Sequence, residues 1–190
     1  MRKLVYGIGI NDADYVVQPL VNGKPVMCTF HQKWVSMIRR CYSIKFQEMN
    51  PTYTGCSVCD EWLTFSNFKR WMEKQDWQGK CLDKDLLIPG NKVYSPDNCA
   101  LVDAATNLFI GDNAASRGDF PIGVIFDKPT GRFLSRCRNP FTKKFENLGR
   151  FFTPEEANLA WRKRKHQLAV QLADLQADER VSKALKTRYL

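Results

Sequence analysis

Apolar positions change their period several times along this chain. Residues 1–26 hold short apolar runs broken by Gly7, Gly9, Asn11-Asp12 and Asn22-Gly23, which predicts strands joined by turns. In TFHQKWVSMIRRCYS (29–43), Trp34, Met37, Ile38 and Cys41 recur at three- and four-residue spacings. That spacing predicts an amphipathic helix with Lys33, Arg39 and Arg40 off the stripe. Pro51 and Gly55 predict a turn carrying Cys56-x-x-Cys59. A second helix is expected in DEWLTFSNFKRWMEKQ, with Trp62, Phe65, Phe68, Trp71 and Met72 on one face. Aromatic side chains at helical spacing bury large areas, so this stripe is expected in the core.

Residues 80–88 (KCLDKDLLI) and 98–103 (NCALVD) read as two short strands around the turn-rich IPGNKVYSPD, and 104–111 (AATNLFIG) as a helix. Strand, loop, strand, helix makes a ββα unit. From Arg117 to Phe120 the composition changes to a Gly/Asp linker. Three strand candidates follow, 122–127, 132–138 and 143–149, with turns at Pro129-Thr130-Gly131 and Asn139-Pro140. Thr153-Pro154-Glu155-Glu156 combines an N-cap, a proline at the first helical position and a glutamate at the third, a strong helix start. The long helix is expected to run to about Ala177 with Ala157, Ala160, Trp161, Leu168 and Leu172 inward. Its run Arg162-Lys163-Arg164-Lys165 reads as a solvated face, and DERVSKALKTRYL as a last short helix.

Charge sharpens this division. The net charge of the 190 residues is +9. Residues 1–116 hold 13 Lys/Arg against 12 Asp/Glu, and residues 117–190 hold 16 against 8, so the excess sits at the C-terminal end. A basic part beside a neutral part points to a polyanion-binding module next to one with another task. No apolar run approaches the about 20 residues that span a bilayer, so no membrane partner is expected. The opening MRKLVYGIGINDADYVV reads as part of the fold and not as a signal peptide. Seven dispersed cysteines without a signal peptide argue for reduced thiols over disulfides. Cys56-x-x-Cys59 is half of a structural Zn²⁺ site, whose other half is sought in Cys41 with Cys99 or in Cys28-x-x-His31; small buried thiols are the plainer reading.

The segment LDKDLLIPGNKVYSPDNCALVDAATN (82–107) gathers carboxylates, lysines and asparagines on the ββα unit. It resembles the HNH, or ββα-metal, nuclease core in the divergent form found in phage-encoded proteins. That resemblance implies a metal-ligand role for Asp83, the general-base position for Lys84, a loop-holding role for Asn98 and a second ligand in Asn107 on the helix. Asp85 is an extra carboxylate. Carboxylate and amide oxygens suit one hard cation, Mg²⁺ or Mn²⁺. The departure is the absence of histidine: the chain has His31 and His166 only, both distant in sequence. A lysine at its usual pKa of about 10.4 is a poor base at neutral pH. It serves if burial lowers that value, or as a fixed charge on the phosphate, and Asp85 is the alternative proton acceptor.

The stretch GVIFDKPTGRFLSRCRNPFTKKFENLGRFFTPEEANLAW (123–161) resembles the AP2-type DNA-binding domain, through Gly123-Val124, Gly131-Arg132-Phe133, Leu148-Gly149, Phe151 or Phe152, Thr153, Glu155-Glu156-Ala157 and Ala160. That family presents three antiparallel strands to the major groove and backs them with one helix. Strand alternation gives the same face without the family: Arg132, Leu134, Arg136 and Arg138 lie on one side, Phe133, Ser135 and Cys137 on the other. Arginines on a strand face suit phosphates and guanine edges, and Lys143 and Lys144 extend the positive surface.

Together these features predict an α+β protein, with a ββα-metal (HNH-like) core flanked by helices and a C-terminal three-stranded antiparallel sheet packed on one long helix. The expected parts are an N-terminal strand and turn segment (1–26), a nuclease domain (27–116) and a DNA-binding domain with a helical tail (117–190). The two resemblances imply a homing-type DNA endonuclease acting on double-stranded DNA, cytoplasmic in a bacterial host if phage-encoded. The alternative is a non-catalytic DNA-binding or host-regulatory protein on the same scaffold, for which the missing histidine argues.

Overall fold

The computed structural model describes residues 3–111 and 118–190. It is a mixed α+β protein with small sheets, one of them three-stranded and antiparallel. The chain divides into two compact units, Met1–Leu101 and Val102–Leu190. This division by packing falls before the change in composition expected at 117–120, of which Arg117 lies outside the described residues. Among the described residues no helix is long and apolar enough to cross a membrane.

The first unit opens with strands β1 (Leu20–Val21) and β2 (Lys24–Pro25), an antiparallel hairpin. Asn22 (φ 51°) and Gly23 (φ 73°) make its turn, and Asn-Gly supplies the two positive φ angles that a two-residue hairpin loop requires. Helix α1 (Thr29–Tyr42) buries His31, Trp34, Met37, Ile38 and Cys41, the expected stripe with His31 added. Helix α2 (Ile44–Met49) follows, and strand β3 (Ser57–Val58) lies beyond it.

The single helix expected over 60–75 is broken. Asp60–Leu63 forms a 3₁₀ turn, Thr64 is extended, and helix α3 spans Phe65–Glu73. The cause is remote in sequence. Ile10 bridges Thr64, its N–H bonding the Leu63 carbonyl at 2.8 Å and its carbonyl accepting from Phe65 N at 3.0 Å. Asp12 Oδ1 accepts from Ser66 N at 2.9 Å, so a carboxylate from the N-terminal segment meets the first turn of α3 that Thr64 does not cap. Trp34 and Trp62 are fully buried at the centre, tied by Trp34 Nε1 donating to the Trp62 carbonyl at 2.7 Å.

Strand β4 is Cys81–Asp83, shorter than the expected 80–88. Asp83 Oδ1 accepts from Asp85 N (3.0 Å) and Leu86 N (2.7 Å), and this Asx-type turn ends the strand. Strand β5 (Val93–Tyr94) arises inside the stretch read as loop, because it finds a parallel partner in β3. Strand β6 (Ala100–Val102) pairs with β4, and the first unit closes within it.

In the second unit, helix α4 (Ala104–Ile110) is capped by Asp103, whose Oδ1 accepts from Thr106 N at 2.7 Å. Strands β7 (Val124–Asp127), β8 (Arg132–Arg138) and β9 (Phe145–Phe151) form the antiparallel sheet in sequence order. The third strand begins two residues later than expected because Asn139 holds the preceding turn: its Oδ1 accepts from Phe141 N (2.8 Å) and Thr142 N (3.1 Å). Helix α5 (Pro154–Ala173) starts on the full Thr153/Glu156 capping box and stops four residues short of the expected end. Helix α6 (Glu179–Thr187) packs back through Val181 and Leu185, both buried. Trp161 lies against the backbone of Gly123 (φ 82°), where an added Cβ would stand 2.0 Å from the indole.

Candidate functional site

The carboxylates of the ββα segment sit where β4 ends. Asp83 is anchored through Oδ1 by the two amides of its turn. Burial, with the neighbouring Asp85 carboxylate, pushes the Asp83 acid above its ordinary range, despite those two donors. Lys84 is 7% exposed, and its Nζ donates to Asp85 Oδ2 at 3.0 Å and to the Asn91 carbonyl at 2.9 Å. The side chain of Asp85 is 43% exposed, so the ion pair has one partner inside and one open to solvent.

Sequence reading missed Asn91, which binds this loop together. Its Nδ2 donates to the Lys84 carbonyl (2.6 Å) and the Val93 carbonyl (2.8 Å), and its Oδ1 accepts from Val93 N (3.2 Å) and Asn98 Nδ2 (3.3 Å). Asn98 thus reaches the loop through Asn91. The available signal was Gly90-Asn91, with Gly90 at φ 78°. Asp83, Lys84, Asp85, Asn91 and Asn98 form one connected cluster. Asn107 lies on α4, in the second unit, half-buried, with its backbone N–H bonded to the Asp103 carbonyl at 2.9 Å.

The donor chemistry fits a hard divalent cation in part. Two adjacent carboxylates repel one another, and a cation between them relieves that repulsion. Among the described residues, however, no three His, Cys, Asp or Glu side chains converge. The candidate zinc cysteines are all in the first unit. Burial, together with Cys56, pushes the Cys41 thiol up to about 12, and burial does the same to Cys99. Such thiols stay protonated at neutral pH, whereas zinc binds thiolates. His31 packs on Phe65 (ring centroids 5.1 Å, edge to face) with both ring nitrogens unpartnered, and burial lowers its pKa.

In the second unit the arginine alternation of β8 has its expected consequence. Ser135 and Cys137 are fully buried, while Arg138 is exposed. The register adds Arg150 opposite Leu134; β8 runs without an insertion, so Arg136 and Arg138 stay on that face, and a bulge that skips Leu148 of β9 sets them opposite Asn147 and Phe145. Two guanidiniums are braced on aromatic rings, Arg132 at 3.4 Å from the Phe152 centroid and Arg136 at 4.6 Å from that of Phe145. Arg150 is committed to Asp127, Nε to Oδ2 at 2.6 Å. Lys143 and Lys144 lie in the β8–β9 turn, both exposed, with Lys143 in a left-handed conformation (φ 59°).

The basic run of α5 is not a uniform solvated face. Arg164 forks onto Glu146 of β9 at 2.7 and 3.0 Å, and with Asn139 holds the Glu146 carboxyl at about 2. Lys165 is buried, because the 157–161–165–168 spacing puts it within the apolar stripe. In comparisons with known proteins, no family model, no curated protein and no solved structure matches this chain.

Proposed function

We propose that this protein is a metal-dependent DNA endonuclease of HNH type, with an AP2-like sheet that binds the duplex. The observation that carries the reading is the braced arginine face of β8, with Arg138 exposed and Arg132 and Arg136 half-buried, on the side opposite Ser135 and Cys137. Cation–π contacts hold Arg132 and Arg136 in place without consuming their charge, which leaves them free for phosphates and base edges. The cutting half is supported by the Asp83–Lys84–Asp85 cluster at the end of a strand.

When bound, a hard divalent cation supplies charge stabilisation at the scissile phosphate and the leaving oxygen. Asp83 would hold it. Asp85, the exposed member of the cluster, is the proton acceptor for the attacking water. Lys84 keeps Asp85 oriented through the 3.0 Å contact. Asn98, through Asn91, holds the loop that carries all three.

A second reading has its own observation. Both contacts of the Lys84 ammonium are internal, to Asp85 and to the Asn91 carbonyl, as in a structural cross-link. A DNA-binding protein that has lost its nuclease activity would look the same. A plasmid-nicking assay with Mg²⁺ or Mn²⁺ separates the two. The endonuclease reading expects nicking that is lost in Asp83→Ala. Nicking by that variant at the wild-type rate would remove the site assignment.

A further inference from the structure

A cavity of about 360 Å³ lies entirely within the second unit, between α4, the end of β8 and α5. That volume is near the lower end of the ~300–1,000 Å³ typical of ligand sites, so it suits one small molecule or one residue of a polymer. Its wall is largely apolar, built from Ala104, Ala105, Leu108, Phe109 and Pro140. The polar part is cationic: Arg138, Lys143 and Lys165 line it, and among the described residues no carboxylate does.

Each cation is held differently. Arg138 is the last residue of the arginine face, so the cavity continues that surface. Lys143 has φ 59°, in the left-handed region that non-glycine residues seldom adopt. Lys165 is 8% exposed, with Nζ donating to the Phe109 carbonyl at 2.6 Å and standing 3.5 Å from the centroid of the Phe109 ring. Asn139, the remaining polar lining residue, is fully used by the turn and by Glu146 Oε1 at 2.7 Å. Recognition of anything in the cavity therefore falls to the three cations and the apolar wall.

We propose that this cavity binds a single nucleotide, with the base against the apolar wall and the phosphate between Arg138 and Lys143. Its source is a nucleotide displaced from duplex DNA, a clause that rests on the DNA-binding reading above; a free nucleotide carries the same chemistry. Lys165 supplies a buried positive charge behind the phosphate. Burial lowers its pKa to about 8, and an arriving anion favours the protonated form, so binding weakens as the pH rises through that value. The charged and titratable groups that face Lys165 from neighbouring elements are Cys137, Arg188 and Tyr189, with Arg138 and Lys143 across the cavity.

The test titrates the full chain with thymidine 5′-monophosphate, thymidine and inorganic phosphate, read by tryptophan fluorescence. The nucleotide is expected to bind about tenfold or more tighter than either fragment. Ala105→Trp fills the cavity from an exposed helix position, and Lys143→Gly removes a cation while relieving backbone strain; each is expected to lose about tenfold. Equal binding of phosphate and nucleotide, or unchanged binding in both variants, overturns the proposal. A parallel arm compares a paired duplex with one carrying a single unpaired nucleotide. Tighter binding of the unpaired duplex, abolished by Ala105→Trp while paired-duplex binding persists, assigns the nucleotide to DNA. Nucleotide binding without that preference assigns it to the free form and leaves the cavity proposal standing. If paired duplex also fails to bind, the arginine face is wrong and the cavity is not.

Discussion

Lys84 of the first unit and Arg138 of the second are both basic residues at the ends of strands, and they meet opposite fates. Lys84 is taken inside and given two acceptors, whereas Arg138 stays open at the end of a sheet face with other arginines along it. The first unit ties Asp83, Lys84 and Asp85 into one hydrogen-bonded cluster with Lys84 inside. The second spreads it over a surface and pins it with rings and ion pairs. A catalytic centre needs the former, because fixed groups in low dielectric act strongly on a reacting bond. A polyanion-binding surface needs the latter, since its affinity comes from counterion release by solvent-exposed cations. Among the groups that burial drives toward neutrality are Asp83 in the first unit, shifted upward, and Lys165 in the second, shifted downward.

The largest break in this comparison is expected from Gly123→Ala. The new Cβ would stand 2.0 Å from Trp161 at a φ of 82°, which adds overpacking to backbone strain. A loss of about 3–5 kcal/mol is expected in the second unit alone. Urea unfolding followed by probes in each unit checks it, and an equal shift of both transitions would mean that the units do not act separately.

Asp83→Asn should do the reverse in the first unit. The amide oxygen can still accept from Asp85 N and Leu86 N, and the repulsion with Asp85 is gone. Because the folded pKa of Asp83 is raised, its ionised form costs stability as pH rises through that value. The variant should be more stable than wild type at pH 7 and no different below about pH 3.9, where wild type is also neutral. Thermal melts across that range, with and without Mg²⁺, check it, and Mg²⁺ should narrow the gap.

Lys165→Met sharpens the other side. The folded pKa of Lys165 is lowered to about 8 from 10.5, so its burial penalty is full below pH 8 and vanishes once the unfolded lysine is also neutral. The variant should be roughly 2 kcal/mol more stable than wild type at pH 7, with the difference closing between about pH 8 and 10.4. Reading a difference matters, because the buried thiols Cys41 and Cys99 lose stability in both proteins as their unfolded forms ionise. The smallest effect is Asp12→Ala, which removes the acceptor for Ser66 N and should cost the first unit about 1 kcal/mol in chemical unfolding.

What the sequence made legible was what local periodicity determines. The α1 stripe, the Asn22-Gly23 hairpin, the Thr153 capping box and the alternation in β8 all appear where expected. The misses have distant causes. Nothing within 60–75 announces that Ile10 and Asp12 will break that helix at Thr64. Val93–Tyr94 is a strand only because Ser57–Val58 lies beside it. In RKRK the spacing did place Lys165 on the apolar stripe, but its type suggested solvent, and the Phe109 carbonyl that accepts from it is 56 residues away. At the candidate site Asp83, Lys84, Asp85 and Asn98 were legible as a cluster. Asn91, which connects three of its loop segments, was not, because its role rests mostly on contacts to backbone groups that composition does not encode.

The central claim is that one chain both holds DNA and cuts it. The direct measurement incubates an end-labelled duplex with wild type and Asp83→Asn across a Mg²⁺ titration, scoring bound and cleaved DNA in the same samples. The account expects equal binding that weakens with salt, metal-dependent cleavage by wild type, and at least about a hundredfold less cleavage by the variant. Binding without cleavage by wild type at any Mg²⁺ or Mn²⁺ concentration would contradict it.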